Sequence, residues 1–334
     1  MIRRQTNIIS SQEGSKRPWS RWIFFGFWIV ILVTGVTYVV RHADFSIVAD
    51  LPWDFWGLQV FILLSYLLFA AVLNLIILRR MGVGCSLLEV FLILQASYSA
   101  SYLGPLKLGV PVRILLFRET LSTSYSKGTS ATIAAQGIRL VSLAFVAAVG
   151  IGVKFRSYYI HLLVVLGALG IVALMGLLIL RLSRLVHVQQ RLLERVQSFL
   201  VSIYDAMRQI GVGTAIGLGV LSVGLMMLLS FSSFLIIDRF GGQVAYSEIL
   251  FIDAISVFVG FVSFIPMGLG TRDATSILLL SQAKALQDSA LYSVVIVQRM
   301  IWSLLPLIVG VVSFGILWIR VLICRDRRCS TPED

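Results

Sequence analysis

Charge is what this chain has least of. Only 13% of its 334 residues are Asp, Glu, Lys or Arg, whereas a soluble domain carries about 25%. With 58% hydrophobic residues and a mean hydropathy of +0.93, its apolar surface cannot be hidden in a water-facing fold. The bilayer has to be its solvent. Histidine and cysteine are equally thin. His42, His161 and His187 are scattered, and no Cys/His cluster has the spacing of a metal site. Cys85, Cys324 and Cys329 cannot all pair, and all three map to the side read below as cytoplasmic. Cys324 and Cys329 follow the last span, where unmodified and acylated thiols both fit the pattern. There is no Ser/His/Asp order, no Gly-x-Ser-x-Gly and no P-loop, so the sequence points to no catalytic centre and no ATP hydrolysis, and it calls for no cofactor. The first apolar run lacks a small-residue cleavage site and reads as an anchor.

What charge there is leans one way, with 28 Lys+Arg against 16 Asp+Glu. In a soluble protein a net +12 would suggest nucleic acid. Here the basic residues flank apolar runs, which is the positive-inside pattern and needs no nucleic-acid partner. Six stretches are long and apolar enough to span: about 22–40, 56–78, 127–152, 158–180, 212–237 and 289–319. The N-terminal tail, the Arg79-Arg80 end of the second span, the stretch 181–211 and the tail after Arg320 hold the basic clusters. All fall on one face if both termini are cytoplasmic, which fits six crossings. Residues 1–21 and 321–334 are then cytoplasmic tails around one membrane domain, 22–320. The segment 184–208 reads equally as a basic amphipathic surface helix or a solvated linker.

Two further apolar segments do not fit as simple spans. Residues 87–103 contain Glu89, Gln95 and several serines and end at Gly104-Pro105; residues 249–265 contain Asp253, Ser256 and Ser263 and end at Pro266. Both are expected to be re-entrant hairpins, because a lone crossing at 87–103 would leave Lys107, Arg113 and Arg118 outside. Two tilted spanning helices, giving eight crossings, are the alternative.

Pro105-Leu-Lys-Leu-Gly109 matches Pro266-Met-Gly-Leu-Gly270, with the prolines 161 residues apart. Arg139 lies 34 residues after the first proline, Arg299 lies 33 after the second, and each sits in an apolar span. Each unit therefore reads as span, hairpin, span, over about 56–152 and 212–319. The single linking helix 158–180 turns the second unit upside down. The expected fold is all-α: a polytopic membrane protein of about six spanning helices plus two re-entrant hairpins, built as an inverted repeat. Such repeats with broken helices point to a site near the midplane.

Arginine at a helix centre costs about 2.5–3.5 kcal/mol on insertion scales, so Arg139, roughly central in its span, needs a reason to be there; Arg299 lies nearer the outer third of a longer helix, where snorkelling to the interface is an alternative. One reading ties them to Glu89, Asp253 or a hairpin carbonyl. The other makes them cations for an anionic ligand, since guanidinium pairs bidentately with phosphate. Gln136 and Ser142 put a polar stripe beside Arg139. At the hairpin tips, Gly104, Gly109, Gly268 and Gly270 with Pro105, Lys107 and Pro266 either only reverse the chain or present free N–H groups to an anion. Arg113, Arg272 and Asp273 follow directly. Arg118 reads as an interfacial charge.

At these residues the chain resembles the lysylphosphatidylglycerol synthase transmembrane, or flippase-like, family over about 20–320. The resemblance rests on Pro105–Gly109 with Arg113, then Arg139, then Pro266–Gly270 with Arg272-Asp273, then Arg299. The family's acid after the second motif is usually Glu and here is Asp273; after the first motif Val110 stands where an acid is usual. The resemblance implies translocation or handling of lipid. The chain stops at Asp334 without the soluble aminoacyl-transferase domain of the best-understood relatives, so it is expected to resemble the stand-alone members. The expected function is a flippase for a phospholipid, glycolipid or polyprenyl-phosphate lipid in a bacterial or archaeal plasma membrane. Arg139 and Arg299 would hold the phosphate, with Asp253 and Asp273 as counter-charges. A membrane enzyme or enzyme subunit for lipid modification is the alternative, with a lipid-synthesising enzyme as the partner it would imply. A small soluble anion is a third kind of cargo.

Overall fold

The computed structural model describes residues 50–103, 108–154, 208–263, 268, 270–283 and 286–329. The expected spans 22–40 and 158–180, the N-terminal tail, residues 330–334 of the C-terminal tail, and the motif residues Pro105, Lys107 and Pro266 lie outside them; residues 321–329, expected in that tail, continue the last helix. Every regular element among the described residues is helical. They are α1 (Trp53–Arg80), α2 (Leu87–Leu103), α3 (Gly109–Leu121), α4 (Tyr125–Lys154), α5 (Val212–Arg239), α6 (Tyr246–Val262), α7 (Thr271–Gln282) and α8 (Asp288–Arg299), then a π-helical turn (Met300–Leu304) running into α9 (Leu305–Cys329).

Among the described residues four segments are long and apolar enough to cross a membrane: Trp53–Arg80, Tyr125–Val149, Val212–Arg239 and Ala290–Arg320. In hydrocarbon no water can satisfy a backbone N–H or C=O, so a crossing segment has to close its own hydrogen bonds as helix. Their outward faces carry Phe61, Leu64, Val141, Phe145, Val220 and Ile308, all exposed, as a lipid solvent requires. The chain is an all-α polytopic membrane protein.

The described helices recur in order. α1 and α5 have 28 residues each, α2 and α6 have 17 each, and α3 and α7 have 13 and 12. The turns after α1 and α5 also match. Gly82 (φ 72°) donates its N–H to Arg79 O and Val83 donates to Leu78 O; Gly241 (φ 77°) donates to Asp238 O and Gly242 to Ile237 O. This is the left-handed C-cap that glycine makes without strain. α1 and α5 pack against each other in opposite directions. Gln59, early in α1, accepts from the Ser232 hydroxyl, late in α5, and donates Nε2 to the Ser232 carbonyl.

Each apolar segment ending at a motif proline is the first arm of a helical hairpin, α2 with α3 and α6 with α7. Both close on glycine. A Cβ at Gly109 would collide with the Ser101 hydroxyl and the Ser97 carbonyl, and one at Gly268 would lie 2.8 Å from Gly260 Cα. The last helix of each half packs on the other half's hairpin, α9 along α2 and α4 along α6. Where α9 meets α2, a Cβ at Gly310 would collide with the Gln95 carbonyl, the close backbone approach that membrane helices obtain from small residues. Buried hydroxyls return bonds to their own helices, as Ser99 does to Ala96 O and Thr132 to Gly128 O.

Candidate functional site

The hairpins and the helices crossing them place four arginines in one electrostatic cluster. In the first half α2 carries Tyr98 and Tyr102, four residues apart and so on one face. Arg113 of α3 is 4% exposed. It donates Nε to Ser97 Oγ at 3.1 Å, and its guanidinium carbon stands 5.5 Å from the Tyr98 ring centroid. Arg139 of α4 donates Nη1 to the same tyrosine's hydroxyl at 3.0 Å, while its Nη2 is buried without a partner among the described residues. Neither arginine faces a carboxylate among the described residues; Tyr98 and Tyr66 are their opposing groups.

The second half is built differently. Arg299, at the end of α8, donates Nε to Asp273 Oδ1 at 2.8 Å and Nη2 to Oδ2 at 2.6 Å, a bidentate pair with each side chain about a fifth exposed. Its Nη1 reaches Ser303 Oγ, and Nη2 lies 3.4 Å from Gly268 O. Asp273 Oδ2 also accepts the Gly270 N–H at 3.0 Å, capping α7. One ion pair thus ties the second hairpin tip to the helix crossing it. Arg272 lies within electrostatic reach of Arg299, Asp253, Asp273 and Tyr102. Its stem covers Gly260 and Gly268. Asp253 of α6 is 3% exposed, sits beside Ser230 and Ser233 of α5, and keeps Oδ2 without a hydrogen bond among the described residues.

Aromatic side chains bridge the halves. Tyr66 of α1 is within electrostatic reach of Arg139 and Arg272, and its ring meets Trp302 edge-on at 5.0 Å. Tyr102 donates to the Trp302 carbonyl at 3.0 Å. Pro306 stands four residues after Trp302 and has no N–H for that carbonyl; the tyrosine of the other half supplies a donor. Trp302 Nε1 donates to Ser232 Oγ and Gln298 Nε2 to Ser233 Oγ. A polar pocket lined by Arg272, Asp273, Gln298, Arg299, Trp302 and Ser303 has room for about one water. In this conformation that pocket encloses no headgroup.

The structure brings Arg113, Arg139, Arg272, Arg299, Asp253 and Asp273 together. Arg299, whose position near the helix end allowed snorkelling, turns inward. Gln136 is half-buried on α4 beside Arg139, and Ser142 lies 3.2 Å from Gly219 O of α5. Glu89 is not brought to the cluster. Its carboxylate accepts from the N–H and hydroxyl of Ser86 and starts α2. Arg118 is half-exposed, 4.0 Å from Glu119 and stacked on Tyr125. Sequence reasoning missed Tyr66, Tyr98, Tyr102 and Trp302. The four-residue spacing of Tyr98 and Tyr102 beside the first motif was the available signal.

No curated protein matches the chain. The sequence pattern of the lysylphosphatidylglycerol synthase TM region matches residues 19–316, nearly the whole chain, and the chain belongs to that family of integral membrane proteins concerned with lipids.

Proposed function

We propose that this protein takes the phosphate-bearing headgroup of a membrane lipid into the arginine cluster between its halves and carries it between leaflets. The observation behind this reading is a charge imbalance. Among the described residues four arginines meet two carboxylates, Asp253 and Asp273, and of these two only Asp273 is in a close ion pair there. Uncompensated cations at membrane depth are expensive, and such residues mark substrate paths. An anionic headgroup supplies the missing charge, and fixed guanidinium donors suit phosphate. The antiparallel packing of α1 on α5 supports alternate opening of one half against the other around a central site. Membership of a lipid-handling family favours lipid as cargo.

The test is headgroup translocation in proteoliposomes. Fluorescent phospholipids and polyprenyl-phosphate lipids are presented to wild type, Arg139→Ala and Arg299→Ala. Fast movement of one lipid class, lost in both variants at unchanged folding, is the expected result. No movement of any lipid by well-folded wild type would overturn the reading.

A further inference from the structure

The two halves treat their arginines unequally. Arg299 already holds a carboxylate, whose two oxygens take Nε and Nη2. Arg113 and Arg139 converge instead on one phenol, Tyr98, and among the described residues the buried Nη2 of Arg139 has nothing to donate to. Two guanidinium groups therefore meet within the first hairpin and its crossing helix, with no carboxylate facing them among the described residues.

We propose that Arg113, Tyr98 and Arg139 form a subsite for the dianionic phosphate of a phosphomonoester lipid. This rests on the lipid-headgroup reading above and narrows it. A phosphodiester headgroup brings one negative charge and two non-bridging oxygens, which leaves one of the two guanidiniums uncompensated. A phosphomonoester carries about −1.5 to −2 charge at pH 7 and three acceptor oxygens. The donor groups match that count: Arg139 Nη2, the Arg113 guanidinium and the Tyr98 hydroxyl. In the second half Asp273 plays the ligand's part, a planar anion gripped on two atoms by one arginine.

The experiment measures binding to the full chain in phosphatidylcholine nanodiscs. Short-chain phosphatidic acid, short-chain phosphatidylglycerol and inorganic phosphate are compared at pH 7.5 and pH 5.5. At pH 7.5 phosphatidic acid is expected to bind at least ~10-fold more tightly than phosphatidylglycerol. The preference should shrink at pH 5.5, because the second phosphate proton returns near pH ~6. This pH arm needs no variant. Arg113→Gln and Arg139→Gln should each remove the preference, and Tyr98→Phe, which keeps the ring under Arg113, should weaken it. Equal affinity for the two lipids, or a preference unchanged by pH, would overturn the subsite and leave lipid translocation standing. Inorganic phosphate binding as tightly as phosphatidic acid would assign the site to a soluble anion and overturn its lipid half. Binding of no anionic lipid at all would overturn both readings.

Discussion

At the scale of single residues, Asp273 does two jobs with one carboxylate: it caps the first turn of α7 and neutralises Arg299. Removing its charge while keeping its shape separates them. In Asp273→Asn the amide oxygen can still accept from Gly270, but Arg299 loses its anion. A charge left unpaired in a largely buried site costs about 3–5 kcal/mol, and partial exposure places the expected loss at the low end, about 3 kcal/mol. Arg299→Gln in the same chain should recover much of it, because the stranded charge has gone. The measurement is a double-mutant cycle from reversible unfolding in nanodiscs. Additive losses would show that the pair contributes only its separate contacts. The sequence offered Asp273 only as a counter-charge and tied the arginines to Glu89, Asp253 or a hairpin carbonyl, so the pair itself was half legible: the need for an anion was visible, its identity was not. Tyr98 was not legible at all. A tyrosine in an apolar helix reads as packing or an interfacial anchor, and its link to Arg139 spans 41 residues that only tertiary structure brings together.

At the scale of elements, the last crossing shows how a local defect becomes a joint between halves. Proline within a helix removes one donor and crowds the carbonyl four residues back. The chain answers with the π-turn Met300–Leu304 directly upstream, where the wider helix relieves the crowding, and with the Tyr102 hydroxyl on Trp302 O. Tyr102→Phe should then cost about 1 kcal/mol, the worth of one hydrogen bond. In a Pro306→Ala background the restored amide can serve the same carbonyl, so the cost should fall towards zero. Thermal unfolding of the four proteins checks this, and an equal cost in both backgrounds would remove the proposed compensation. Pro306 was visible in the sequence as a breaker, yet nothing there said whether the helix would kink, stop or widen. The extents of the described spans, by contrast, were readable to within a few residues, because backbone in lipid has so few alternatives to helix. The Ser86-x-x-Glu89 cap is a local signature too. It explains why Glu89 starts a helix and serves no arginine.

At the scale of the whole molecule, the matching turns after α1 and α5 allow a direct test of inversion. They share one backbone form, yet α1 and α5 run antiparallel, so the turns belong at opposite ends of the pair. Their charges differ in the direction the positive-inside rule requires. The first turn follows Arg79 and Arg80, and the second follows Asp238-Arg239 and leads to Glu248. The first should therefore face the cytoplasm and the second the outside. Cys85 already reports on the first turn and is a free thiol. With Cys324 and Cys329 changed to serine, Cys85 should react with a membrane-impermeant maleimide in inside-out vesicles and stay silent in intact cells. A protein carrying Gln243→Cys with Cys85→Ser should do the opposite. Partial burial pushes the Cys85 thiol up; nearby Arg79 opposes this, and Glu89 adds to it. Since the thiolate is the reactive form, labelling should be slow at pH 7 and still rising above pH ~8.5, the ordinary thiol value. Labelling of both positions from the same side would leave the helix order intact but abolish the inverted arrangement, and with it the argument that one central arginine cluster can be opened to either leaflet.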